Sequence, residues 1–250
     1  MLLAAVALFA APVAAGEMTA REVTVLLFKT APGAVPDLSK KNLSELDLSE
    51  LDFKKAKLDG ANLYGSDLSR ANLSGASLKG ARLDRASLID TNLADSDLTG
   101  ASILRPNVFH DLDPPRQSTK LTFANARMAN AHLNGKFDGA NFSGADLTGA
   151  LFGPRDPREE VLITPMMSLI GANFSDARLG GADFSRNDAQ DATFARADLS
   201  KANFRETRLD GVDFSGANLA AADFTAAQMR STIFKDAKGL DTAIGLQRAP

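Results

Sequence analysis

The chain has 250 residues, 44% apolar, 24% charged and 6% aromatic, a balance that fits globular material and excludes a disordered tail. Lys and Arg number 28 against 31 Asp and Glu, a net charge of −3, too small to point to a nucleic-acid binder or a polybasic membrane binder. The lack of Cys excludes disulfides, thiolate catalysis and zinc–thiolate sites, two His leave little for metal or acid–base chemistry, and no Trp with one Tyr leaves no platform for stacking bases or sugars.

Residues 2–15 (LLAAVALFAAPVAA) are apolar throughout. Fourteen residues are too few to span a bilayer, but they fit the apolar region of a secretory signal. Val13-Ala14-Ala15 places tolerated residues at −3 and −1 of a cut before Gly16. No Lys or Arg precedes the run, a departure from the usual pattern. Residues 1–15 are expected to be a signal peptide cleaved near Ala15, so that the mature chain works in the periplasm or outside the cell. No second apolar run is long enough for a membrane helix. Residues 16–35 are expected to form an N-terminal cap, with the run at 21–28 (REVTVLLF) as a strand covering the first coil.

From Leu38 to Ile103 a large apolar residue returns at every fifth position, through Leu63, Leu68, Leu73 and Leu78, for fourteen units without a slip. Two residues before most of them stands a small residue, as Ala61, Ser66 and Ala71 do, with Asp or Asn between them in most units. Residues 104–120 (LRPNVFHDLDPPRQSTK) break the pattern. Ile103 to Phe123 is twenty residues, so the segment is either a degraded coil or a loop that leaves and returns in phase. Pro106, Pro114 and Pro115 favour the loop. A second block runs from Phe123 to Phe152, with one four-residue step between Leu133 and Phe137. Residues 153–166 (GPRDPREEVLITPM) form a second break, whose apolar middle, Val161-Leu162-Ile163, is expected to fold back on the coil. A third block runs from Leu169 to Phe234, bringing the total to thirty-five units. It is softened only near Asn187, which is expected to bond backbone at a distorted corner. Residues 237–250 form the tail, with a short helix or turn closing the last coil.

Period five fits neither standard template. On a helix each step turns about 500°, scattering the apolar residues over every face. On a straight strand an odd step sends successive large residues to opposite faces. The period is consistent with a very short strand followed by a corner. The small and large residues then point inward together, the Asp or Asn points out, and Gly, Asn or Asp supports the turn. In the third block Phe returns every ten residues, at Phe174, Phe184, Phe194, Phe204, Phe214 and Phe224. Like residues stack only if a coil has an even number of sides. Four sides and twenty residues per coil place Phe174, Phe194 and Phe214 in one column and Phe184, Phe204 and Phe224 in the opposite one. The fold class is therefore all-β, a four-sided solenoid of about nine coils, stacked at ~4.8 Å.

Units such as Ala61-Asn62-Leu63-Tyr64-Gly65, Ala145-Asp146-Leu147-Thr148-Gly149 and Ala217-Asn218-Leu219-Ala220-Ala221 resemble the pentapeptide repeat family, A(D/N)LXX. The resemblance implies a right-handed quadrilateral β-helix over residues 36–236, interrupted at 104–120 and 153–166. It also implies a runner-up function, since some members mimic DNA and bind DNA gyrase. That activity requires a strongly acidic face, and here basic residues punctuate every block.

No catalytic, cofactor or metal residue is assigned. His110 beside Asp111 and Asp113 lacks a second His nearby, His132 falls in the outward column and is expected at the solvated surface, and no phosphate-binding or zinc-protease motif occurs. An ice-binding array would need an ordered Thr face, which the mixed outward columns do not supply. The expected function is a non-enzymatic exported scaffold that binds another protein. Its partner-facing residues would lie in or beside the two breaks: Phe109, His110, Arg116, Arg155 and Arg158. No cofactor and no nucleic acid are implied, and the chain is expected to be a monomer or a dimer through an end cap.

Overall fold

The computed structural model describes residues 18–53, 55–109, 120–153 and 167–246. The chain winds in a register of twenty residues. Asp37 bridges Lys57, Asn42 bridges Asn62, Asp47 bridges Asp67 and Asp52 bridges Asn72, all in parallel, and the same four ladders then climb through successive turns. Among the described residues longer pairing occurs only at β1 (Ser102–Leu104), β2 (His132–Asn134) and β3 (Leu151–Phe152), which form one parallel sheet in that order.

Each unit is closed by local bonds. Ala61 N–H donates to the Leu58 carbonyl (3.0 Å), turning the chain, while Leu63 N–H donates up to the Arg82 carbonyl (2.8 Å). The corner residue adopts a left-handed backbone, with φ 64° at Gly60 and Gly65 but also 60° at Glu45 and 58° at Arg85. That conformation costs a non-glycine residue about 1 kcal/mol, which the ladder bonds on either side offset. Gly239 is a stricter case, because a Cβ there would lie 2.5 Å from the Ala220 nitrogen.

The Asp/Asn column has a specific task. Asp47 Oδ1 accepts from the backbone N–H of Ser49 (3.1 Å) and from its hydroxyl (2.6 Å). Asn72 accepts likewise from Ser74 N–H (3.2 Å). The side chain thus occupies a backbone donor at the corner, as in an Asx turn. Asn amides also link rungs, Asn62 Nδ2 donating to Asn42 Oδ1 (2.9 Å).

Inside, Leu63, Leu68, Leu73, Leu78 and the six third-block phenylalanines from Phe174 to Phe224 are all fully buried. Phe174, Phe194 and Phe214 stack at 4.8 and 5.3 Å between centroids, and Phe184, Phe204 and Phe224 at 5.0 and 5.1 Å. The two columns meet edge to face, Phe174 and Phe184 lying 5.8 Å apart at 85°. The first column reaches down through Phe142 to Phe123 (4.8 and 4.9 Å), and Phe152 prolongs the second (4.3 Å). Both columns therefore run through the second break.

The first break differs from the sequence expectation. The regular chain persists to Asn107, which bridges Ser87, and Val108 is buried in the large column. Beyond it the register lengthens to thirty, with Asn92 bridging Thr122 and Ile103 pairing Leu133. Phe123 thus lies over Leu93 and not over Ile103. The break is a ten-residue insertion between Val108 and Phe123. The twenty-residue spacing that suggested one whole coil arose from adding ten residues to two ordinary units. The four-residue step then shortens the register to nineteen, with Thr122 bridging Asn141. The second break lengthens it to thirty-two, with Asn141 bridging Asn173, a twelve-residue insertion between Phe152 and Leu169.

The expected strand at 21–28 is a helix, α1 (Ala20–Lys29). Thr19 caps it through a capping box with Glu22, whose carboxylate accepts from Thr19 N–H at 2.8 Å. Val23 and Leu27, four apart, are the residues it buries. The helical spacing of these two and the cap outweigh the strand preference of the β-branched run. At the other end the chain makes turns rather than a helix, with a last bridge from Asp223 to Ile244. Met229, Phe234 and Leu240 are only partly buried there.

Candidate interaction surface

The two insertions share one ladder, the one that carries Ser87, Asn107, Lys136, Ser168, Asp188 and Arg208. The first leaves at its downstream edge, after Val108 and Phe109. The second returns at its upstream edge, before Met167 and Ser168. Unit order fixes this: Phe152 belongs to the preceding ladder and Leu169 to this one.

The described ends of both insertions are held firmly. Phe109 is half-buried against the core, and its N–H donates to Asn107 Oδ1 (3.3 Å). On the far side Lys120 N–H donates to Asp90 Oδ1 (3.1 Å), and Leu121 is fully buried. Gly153 N–H donates to the Leu133 carbonyl (2.9 Å). The Gly153 carbonyl accepts from His132 Nε2–H, and the Phe152 carbonyl accepts from the Asn187 amide (2.8 Å). His132 is therefore not a solvated surface residue. It occupies an outward position but is 7% exposed, because it lies beneath the carbonyl where the second insertion begins. Asn187 does bond backbone, as expected, and is itself buried.

His110, Arg116, Arg155, Arg158 and the Val161–Ile163 stretch lie outside the described residues. Among the described residues no group of His, Asp and Glu could hold a metal ion, and no helix is long and apolar enough to cross a membrane.

Charge on the rod is mixed rather than one-signed. One ladder alternates Asp97, Arg127, Asp146, Arg178 and Asp198, with Arg127 on Asp97 (2.8 Å) and Arg178 on Asp146 (2.6 Å). Burial pushes the Asp97 carboxyl up, but bonds from Thr99, Arg127 and Lys79 outweigh it and hold the group below the usual carboxylate range.

One group escaped sequence reading. Tyr64, Arg82 and Arg85 are scattered along the chain, but twenty-residue register sets Tyr64 beside Asp84 on the next rung, between the two arginines. Arg82 Cζ lies 4.5 Å and Arg85 Cζ 5.8 Å from the Tyr64 ring centroid. Adding twenty to each position would have found the group.

The family model for pentapeptide repeats matches in eight copies, over residues 36–65, 66–103, 119–153, 168–205 and 197–236. No curated protein matches. Among solved structures, the chain is similar to HetL, a pentapeptide repeat protein involved in heterocyst differentiation regulation from the cyanobacterium Nostoc, at 25% identity over 84% of this chain and 93% of that one, with a TM-score of 0.42. It is also similar to trypsin-treated QnrB1, a plasmid-mediated fluoroquinolone resistance protein, at 17% identity over 86% and 91%, with a TM-score of 0.46. A third likeness is to a pentapeptide repeat protein of the Arabidopsis thaliana thylakoid lumen, at 27% identity over 54% and 81%, with a TM-score of 0.22.

Proposed function

The chain belongs to the pentapeptide repeat family, and from that premise we propose that it is a non-enzymatic exported scaffold that binds a protein partner in the cell envelope. In this reading the rod is a right-handed, four-sided coil of about nine turns spaced ~4.8 Å apart. Residues 1–15 direct export and are removed near Ala15. The two insertions supply recognition, since a rigid solenoid presents its irregular segments at a fixed separation.

The observation that carries this reading is the anchoring of the insertion ends on one ladder. Four side chains (Asp90, Asn107, His132 and Asn187) are committed to holding backbone at those ends. The alternating Asp–Arg ladder argues against a DNA-mimicking gyrase binder, which needs an unbroken acidic face. The open C-terminal coil, with Met229, Phe234 and Leu240 partly buried, is the face through which two copies would pair.

The test has two parts. Fractionation with sequencing of the mature N-terminus is expected to find the chain in the envelope, beginning at Gly16; a full-length cytoplasmic chain overturns export. Capture from envelope extract is then compared between the intact chain and one lacking residues 110–119 and 155–166. Partners lost on excision support the reading, whereas an unchanged set, or inhibition of gyrase supercoiling by the intact chain, overturns it.

A further inference from the structure

We infer that Tyr64, Arg82, Arg85 and Arg105 form a binding site for an oxyanion, with the phosphate group as the ligand that fits. The site stands on the geometry of the corner between the Asn62–Arg82 ladder and the Asp67–Ser87 ladder and is independent of whether the chain is exported.

Its parts are already held in place. Asp84 is 8% exposed, and its Oδ1 accepts from the Ser102 hydroxyl (2.6 Å) and from Leu104 N–H (3.1 Å). Asp84 Oδ2 accepts from Arg82 Nε (2.7 Å). That bond uses the one guanidinium nitrogen that points along the chain, and the Tyr64 ring supports the group from one side. The two terminal nitrogens of Arg82 remain for a ligand. Arg85 rests on the same ring from the corner. Arg105 follows one rung higher, since Arg85 N–H donates to the carbonyl of Leu104 (2.8 Å), so the two corner arginines are ~5 Å apart at the backbone.

The charge balance distinguishes this corner. Arg70, Arg82, Arg127, Arg178, Arg186, Arg196, Arg205 and Arg208 each hold a carboxylate. Arg85 and Arg105, both exposed, hold none among the described residues; Arg21 and Arg230 hold none either, but Arg85 and Arg105 follow one another on successive rungs. Two like charges on successive rungs repel one another, and an anion between them reverses the sign of that interaction. A guanidinium fork matches the edge of a phosphate, giving paired charge-assisted bonds. The Asp84 carboxylate is already engaged by Arg82 Nε, the Ser102 hydroxyl and Leu104 N–H, and the Glu45 carboxylate lies against Gly65, next to Tyr64, so the ligand is placed on the side of Arg85 and Arg105.

The chain reports on this site by itself, because Tyr64 is its one tyrosine and it has no tryptophan. Tyrosine emission of the purified chain is followed while potassium phosphate is added at constant ionic strength, with potassium chloride as the control. A saturable change with phosphate alone is expected. The Arg85→Ala/Arg105→Ala pair should weaken it at least about tenfold, and Arg196→Ala should leave it unchanged. Arg85→Gln, which keeps most of the side-chain stem, shows the same direction if the double variant melts early. Sedimentation with phosphatidylglycerol vesicles, against phosphatidylcholine, separates the sources. Binding that the double variant loses assigns a lipid headgroup, and a response to free phosphate without vesicle binding assigns a soluble phosphate. The inference is overturned if chloride reproduces the change, if no saturation occurs, or if the variants respond as the parent does.

Discussion

Asn187 donates its side-chain amide to the carbonyl of Phe152 across 2.8 Å, though thirty-five residues separate them in the chain. Phe152 is the last regular core residue before the second insertion, and its ring stacks directly on Phe184. The bond follows a pattern seen elsewhere on the rod, where Thr91 donates to the Leu68 carbonyl and Thr207 to the Phe184 carbonyl one rung below. Asn187 stands in the small column, where most units carry Ala, and its amide makes the same bond across the insertion.

Replacing Asn187 by Ala removes the one donor that the Phe152 carbonyl has among the described residues. A loss of about 1–3 kcal/mol in unfolding free energy is expected, read from denaturant melts. Faster hydrogen exchange should appear at Gly153 N–H, which bonds the Leu133 carbonyl on the same turn. An unchanged midpoint with unchanged exchange would show that the amide contributes nothing to the anchor.

The aromatic columns give a graded series. Phe194 lies between Phe174 and Phe214, with near-parallel rings at 4.8 and 5.3 Å. Phe194→Ala should cost about 3–5 kcal/mol. Phe194→Leu, which keeps an apolar side chain but leaves part of the ring's volume empty, should cost less than Phe194→Ala. Phe234, partly buried at the open end, should lose less than Phe194 on the same change to Ala. Equal losses at both positions would mean that the end coil is covered in solution.

Acid should weaken the fold over a narrow range. Asp223 is held below the usual carboxylate range by the Thr225 hydroxyl first and its backbone N–H after. The Ser49 and Ser39 hydroxyls do the same to Asp47 and Asp37, and the Arg196 guanidinium to Asp176. A carboxyl whose pKa is lower folded than unfolded binds fewer protons in the fold. Its stabilising contribution is therefore complete above the unfolded value of about 4 and is lost as pH falls through the depressed folded value. Melting temperature should stay level from pH 7 to about 5 and drop below about 4. Thr225→Val, which removes one hydroxyl donor, should flatten that drop, and a profile level down to pH 3 would dissociate these turns from stability.

The sequence made the rod legible because each unit states its own geometry. Leu63, Leu73 and the Phe174 series could be placed inside from spacing alone. What it concealed were features that depend on a neighbour. α1 was announced by Thr19 and Glu22, but Val23-Thr24-Val25 resembled a strand. His132 obeys the outward pattern and is buried only because Gly153 begins an insertion above it. Val108 was hidden by Pro106 in the small column, so a unit that continues the coil was counted as part of the break. The Tyr64 cluster needed the register before its members could be seen as neighbours.

The insertion lengths themselves make a prediction. Excising residues 110–119 joins Phe109 to Lys120, so that Val108, Phe109, Lys120, Leu121, Thr122 and Phe123 read as one ordinary five-residue step. Val108 and Phe123 keep their places in the large column, and the register over that rung returns from thirty to twenty. Loop length alone changes stability little, so the excised chain should keep its spectrum, unfold cooperatively and lie within about 1 kcal/mol of the parent. Excising residues 108–119 instead removes the buried Val108 and forces Pro106 and Asn107 against Lys120, two residues short of a unit. That variant should lose several kcal/mol or fail to fold, through a missing core side chain and unpaired ladder groups. Thermal melts of the two excisions side by side decide the matter: if they fall together, the ten residues are integral to the coil, and the insertion between Val108 and Phe123 is misplaced.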